Sequence, residues 1–136
     1  MMTLHVFLIF SAFAFGGGAQ VKETWRVGNF SFKTEVNRRL GIMVNPACAV
    51  DRPSHPCGAI VFAKRASKKA LSKEELSGGK NPGAVLCHRS DGSRVVIAED
   101  PNGNQASFCV FKDGSLISSS SLLKMALRND LGGKGR

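Results

Sequence analysis

The sequence predicts an α+β protein: a small antiparallel sheet built from hairpins, with one or two short helices on it, stapled by disulfides. Three observations predict this class. Residues 24–36 and 93–111 each show two short apolar or alternating runs separated by a turn rich in Gly, Asn, Asp or Pro, the pattern of β-hairpins. The chain carries four cysteines, an even number read first as a disulfide framework in a short exported protein. An apolar run at residues 4–15 (LHVFLIFSAFAF) closes on the small residues 16–19 before the polar Gln20. That layout is a secretory leader, and export places the cysteines where disulfides persist.

The leader is too short to cross a bilayer, which takes about 20 apolar residues. The expected cut follows Ala19, and no further segment is long and apolar enough to span a membrane. Next, Trp25 and Val27 stand before a Gly28-Asn29 break and Phe30 and Phe32 after it, which predicts two short strands. The runs LGIMV (40–44) and AIVFA (59–63) read as buried strands. Between them, residues 45–58 hold three prolines and a glycine and read as an irregular loop. Residues 67–77 (SKKALSKEELS) lack β-branched side chains and end at Gly78-Gly79, so they favour a thin surface helix or a linker.

Asn81-Pro82 reads as an N-cap with proline in the first turn of a short helix over 82–88. SRVVIA (93–98) and ASFCVF (106–111) read as a strand and its return, joined by the turn EDPNGN (99–104). Asp113-Gly114 turns the chain again, and Ser121 is placed to cap a short amphipathic helix, LLKMAL, at 122–127. The expected organisation is therefore a signal peptide at 1–19, a strand-rich part at 20–66, and a basic helix or linker at 67–80. A helix-hairpin-helix unit at 81–127 and a disordered tail at 128–136 follow. NPAC (45–48) faintly echoes NPGAVLC (81–87).

Four cysteines allow three connectivities. Proximity in the chain favours Cys48–Cys57, closing the proline loop, and Cys87–Cys109, tying the short helix to the returning strand. His55 near Cys57 and His88 beside Cys87 offer metal-ligand types, but the spacing matches no zinc knuckle or ribbon, so no metal or cofactor is expected. No catalytic residue is assigned. An enzyme would have to use Cys87 or Cys109 as a thiol beside His55 or His88. Phosphate loops, G-x-S-x-G and H-E-x-x-H are all absent, and DPNGN (100–104) lacks the spaced carboxylates of a calcium loop.

The formal net charge is +9 and the leader contributes none of it. Lys64, Arg65, Lys68, Lys69 and Lys73 concentrate the positive charge. Aromatic residues do not interleave with them, which argues against a nucleic-acid stacking surface. The expected role is an exported, non-catalytic binding module, periplasmic or secreted, that engages an anionic envelope component or another protein. The alternatives are an inhibitor of a secreted enzyme and a small thiol-dependent hydrolase.

The order Asn81-Pro82, Cys87, a Gly-containing turn, a strand, Asp100 and Gly103, then CVFKDGS (109–115) resembles domain of unknown function 333 over about residues 80–126. This is a small bacterial exported domain whose members often carry a haemolysin label. The resemblance implies bacterial origin and an exported location. It carries over no catalytic residue. The family pattern continues past Asp-Gly with further cysteines, whereas LISSSSLL (116–123) has none.

Overall fold

The computed structural model describes residues 22–50 and 56–132. The leader expected at 1–19, and His55, lie outside the described residues. Six strands form one antiparallel sheet that closes on itself: β1 (Glu23–Val27), β2 (Phe30–Asn37), β3 (Ile42–Val44), β4 (Arg94–Glu99), β5 (Gln105–Val110) and β6 (Leu116–Ser118), in the order β1-β2-β3-β6-β5-β4. Among the described residues three α-helices accompany them: α1 (Gly58–Ala63), α2 (Pro82–Cys87) and α3 (Ser119–Gly132). The class is α+β, but the sheet is a barrel rather than a set of open hairpins. Its hairpins, β1–β2 and β4–β5, are sewn together by minimal contacts. A single residue pair, Arg26 with Glu99, joins β1 to β4, and Val44 with Ile117 joins β3 to β6.

Strand alternation sends side chains to two separate cores. Trp25, Phe32, Met43, Val96, Ala98, Phe108 and Leu116 meet inside the barrel. Phe108 is fully buried and takes Trp25 and Phe32 edge-on, at 5.0 and 5.1 Å between ring centroids. The alternate residues Ile42, Val44, Cys109 and Ile117 point outward from β3, β6 and β5. There they pack with Ala59, Ile60 and Ala63 of α1, Leu86 and Cys87 of α2, and Leu122, Met125 and Ala126 of α3. No residue of β1 or β2 enters this second core, so the helices cover only half of the barrel. Buried polar groups are matched: the Trp25 indole N–H donates to Thr34 at 3.0 Å, and Asn37 Nδ2 donates to the Cys48 carbonyl at 3.1 Å.

Several elements differ from the sequence expectation. AIVFA forms α1, not a strand. A five-residue apolar run is ambiguous in sequence, and here Asp113 and Ser115 accept the Gly58 and Ala59 N–H groups at 2.8 and 2.9 Å, starting a helix. Residues 67–77 form no α-helix: Lys68–Ala70 make one 3-10 turn and further turns follow. Ser72 and Glu75 exchange backbone-to-side-chain hydrogen bonds at 3.1 Å, as in a capping box. The apolar stripe beyond is too thin to propagate a helix, and Gly78 and Gly79 follow at positive φ.

The serine run does more than cap. Leu116–Ser118 is the strand β6 that the sequence did not suggest, and it closes the barrel. Ser118, not Ser121, accepts the first-turn amide, from Ser121 N–H at 3.2 Å. The Ser121 hydroxyl instead accepts Met43 N–H at 2.8 Å. Helix α3 runs on to Gly132, through residues 128–132 that were expected in a disordered tail. Asn129 there donates to the Ala63 and Ala66 carbonyls at 2.9 and 2.8 Å, which docks the C-terminal half of α3 on the end of α1.

Candidate functional site

Lys64, Arg65, Lys68, Lys69 and Lys73 are all exposed, on the segment that leaves α1 and turns past the end of α3. The backbone of this segment is anchored by one carboxylate. Asp130 of α3 accepts the Ser67 hydroxyl at 2.5 Å and the Lys68 and Lys69 N–H groups at 3.1 and 3.2 Å. These bonds, Ser67 first, hold the Asp130 carboxyl below the usual aspartate range, so it is anionic at neutral pH. Downstream, Glu75 pairs with Arg89 at 2.5 and 2.6 Å, and Arg89 also donates to the Ala70 carbonyl at 3.3 Å. The Ser72 N–H and then the Arg89 guanidinium keep the Glu75 carboxyl below its ordinary value. A stretch that composition reads as a helix or a linker is thus pinned to α3 by Asp130 and, through Arg89, to the turn just past α2.

Beside it runs a groove of about 530 Å³ floored by Leu71, Leu76, Leu127 and Leu131, with Lys68, Lys69 and Asp130 on its rim. Leu127 and Leu131 are 44% and 76% exposed. Neither leucine pair was singled out in the sequence. The available signal was the i, i+4 spacing of Leu127 and Leu131, masked because residues 128–136 read as a tail.

The structure joins Cys48 to Cys57 and Cys87 to Cys109, with Cα separations of 5.7 and 5.6 Å. No cysteine among the described residues is free. A nucleophilic Cys87 or Cys109 therefore has no thiol in this structure, and the thiol-hydrolase alternative loses its reacting group. His88 is exposed beside Lys80, Asn81 and Glu75. No His, Cys, Asp and Glu side chains gather as a metal site among the described residues.

The remaining acids of the motifs serve turns. Asp100 accepts from the Asn104 side chain and the Asn102 and Asn104 N–H groups at 2.9–3.0 Å, which holds its carboxyl low and sets the β4–β5 turn. Burial raises the Asp113 carboxyl, but Ser115 and the Gly58 N–H outweigh it and the net direction is down. A Cβ at position 58 would lie 2.8 Å from the Asp113 Oδ2, so a side chain there would displace the carboxylate. The Asp-Gly-Ser of CVFKDGS is therefore the cap of α1.

Elsewhere on the barrel, Gly28, Ser31, Arg26 and Thr24 of the β1–β2 hairpin line a cleft of about 670 Å³ with Glu99 and Pro101. Phe30 stands on that hairpin tip, 80% exposed.

Fold and site together define a small disulfide-stapled barrel module with a half-shell of short helices and a basic, leucine-floored edge. Residues 78–125 match the family model described as "Domain of unknown function (DUF333)". That stretch runs from Gly78 through Met125, so it takes in α2, β4, β5, β6 and the first half of α3. No curated protein and no solved structure matches the chain. No helix among the described residues is long and apolar enough to cross a membrane.

Proposed function

We propose that this chain is an exported, non-catalytic binding module, periplasmic or secreted, that engages an anionic partner of the cell envelope through the segment Lys64–Lys73. The observation that carries the reading is the placement of five exposed cations on one segment whose Lys68 and Lys69 N–H groups are held by Asp130. Between Lys64 and Lys73 no acidic residue interrupts them. Charges on a fixed backbone focus a field better than charges on a disordered tail, because little conformational freedom is lost when a ligand docks. Two disulfides suit an oxidising compartment.

The test is binding of the disulfide-bonded protein to a soluble polyanion such as dextran sulfate over a salt series. Binding falls steeply with salt, since exposed charges are screened within about 8 Å at physiological ionic strength. Replacing Lys64, Arg65, Lys68 and Lys69 together by alanine weakens it. Salt-insensitive binding, or an unaffected quadruple variant, refutes the reading.

A second reading, an inhibitor of a secreted enzyme, is favoured by one observation: Phe30 projects from a rigid hairpin next to the 670 Å³ cleft. Exposed aromatic anchors on rigid loops are what protein interfaces use as hot spots. This reading requires capture of a secreted hydrolase by the wild-type protein and loss of capture on Phe30→Ala.

A further inference from the structure

The groove beside the basic segment combines two features that separate ligands share rarely. Its floor is leucine, from two elements far apart in sequence: Leu71 and Leu76 from the turn segment, Leu127 and Leu131 from α3. Its rim is cationic, with Lys68 and Lys69 lining it directly. Lys64 and Arg65 precede them in the chain, at the end of α1 that Asn129 ties to α3. Leu131 is three-quarters exposed, and an exposed apolar patch rimmed by polar and charged groups marks a surface that meets a partner.

The rim has one acid, Asp130, and its position decides the sign of the site. Both of its carboxylate oxygens are turned to Ser67 and to the N–H groups of Lys68 and Lys69. Its charge is occupied in holding the turn that presents the two lysine side chains. A bare polyanion would use the lysines and leave the leucines in water. A neutral apolar ligand would use the leucines and leave the lysines idle. The partner that matches both is amphipathic and anionic.

We infer that the Leu71–Leu76–Leu127–Leu131 groove with Lys68 and Lys69 is a docking site for a bilayer surface rich in anionic phospholipid, with leucines against the acyl boundary and lysines at the headgroup phosphates. The inference rests on the binding-module reading above and narrows its partner to lipid. It is a peripheral contact. Apolar burial of a few side chains and attraction to the surface potential act together, and neither suffices alone.

The experiment is co-sedimentation of the disulfide-bonded full chain with vesicles, of phosphatidylglycerol and phosphatidylcholine in equal parts or of phosphatidylcholine alone. Two paired variants accompany the wild type: Lys68→Glu with Lys69→Glu, and Leu127→Ser with Leu131→Ser. All four positions are exposed, and unchanged Trp25 fluorescence verifies the fold of each variant. The expected result is binding to the anionic vesicles only, reduced at least about tenfold by either pair.

Loss with the lysine pair but not the leucine pair overturns the lipid site and leaves the anionic-partner reading standing. Absent vesicle binding beside salt-sensitive binding to dextran sulfate does the same. Binding to neither probe overturns both readings. Equal vesicle binding by wild type and both variants also overturns the site. So does a dimer without vesicles that Leu127→Ser with Leu131→Ser converts to a monomer, since the groove then seats a second copy.

Discussion

The barrel interior and the helix-side core share strands β3 to β6 but are built by different means. Inside the barrel, large rings close on one another: Phe108 is wedged between Trp25 and Phe32, and the polar handle of Trp25 is satisfied by Thr34. No disulfide enters that core. On the outer face the pieces are small. Helices α1 and α2 have six residues each, well under the length at which an isolated helix persists. Both disulfides lie in this layer, and the cap of α1 comes from a distant loop. Where large apolar surface can be buried, burial suffices. Where only short helices are available, cross-links and caps supply what area cannot.

Five changes break or sharpen that contrast, taken from the largest expected effect to the smallest. Phe108→Ala empties the centre of the barrel and removes both ring contacts, so it costs about 3–5 kcal/mol. Urea unfolding followed by Trp25 fluorescence reads it, and a loss under about 1 kcal/mol would contradict a barrel held by its rings. Replacing Cys87 and Cys109 together by alanine opens a 22-residue separation and costs about 3 kcal/mol, chiefly by freeing the unfolded chain. Hydrogen exchange then shows α1 and α2 losing protection while β1 and β2 keep it; uniform loss would erase the distinction between the two cores.

Gly83→Ala tests the closest approach in the helix layer. A Cβ there would stand 1.9 Å from the Ser119 carbonyl oxygen, so α2 must move off α3 at about 1–3 kcal/mol. A lowered thermal midpoint with intact disulfides is the expected result. Asn81→Ala removes the acceptor of the Gly83 and Ala84 N–H groups and costs about 1 kcal/mol by the same measurement.

The smallest effect belongs to Asp113→Asn. The Asp113 carboxyl titrates below its ordinary 3.8 when folded, so its bonds stabilise the protein above that value. That stability fades as pH falls through the folded pKa. The substitution removes less than about 1 kcal/mol at neutral pH, because the group is largely exposed. It also makes stability less dependent on acid below about pH 4. An unchanged acid limb in urea midpoints at these pH values would remove Asp113 from the capping of α1.

The hairpins were legible because each is local. Trp25 pairs with Phe32 across Gly28-Asn29, and Val95 with Cys109 across the Asp100 turn, and turn residues announce themselves within a few positions. The helix start at Asn81-Pro82 was legible for the same reason. The identity of α1 was not, since its two capping groups arrive from residues 113 and 115. Nor was β6: its three residues pair with β5 across the Asp113-Gly114 turn, and Ile117 alone pairs with Val44 of β3 from the distant first half of the chain. The leucine groove was hidden twice over. Its halves lie more than fifty residues apart in sequence, and α3 outruns its own amphipathic signal because Asn129 and Asp130 find partners on another segment.

By itself, then, the sequence determined the class, the local turns, the excess of positive charge and a cysteine count that asks for two staples. All of these are set by neighbouring residues or by composition. Only the tertiary structure decided that two hairpins close into a barrel, that AIVFA is a helix, and that a lysine-rich turn and a leucine edge share one groove. Those outcomes depend on hydrogen-bond donors and apolar faces brought together from distant parts of the chain, whose free energy no local window contains.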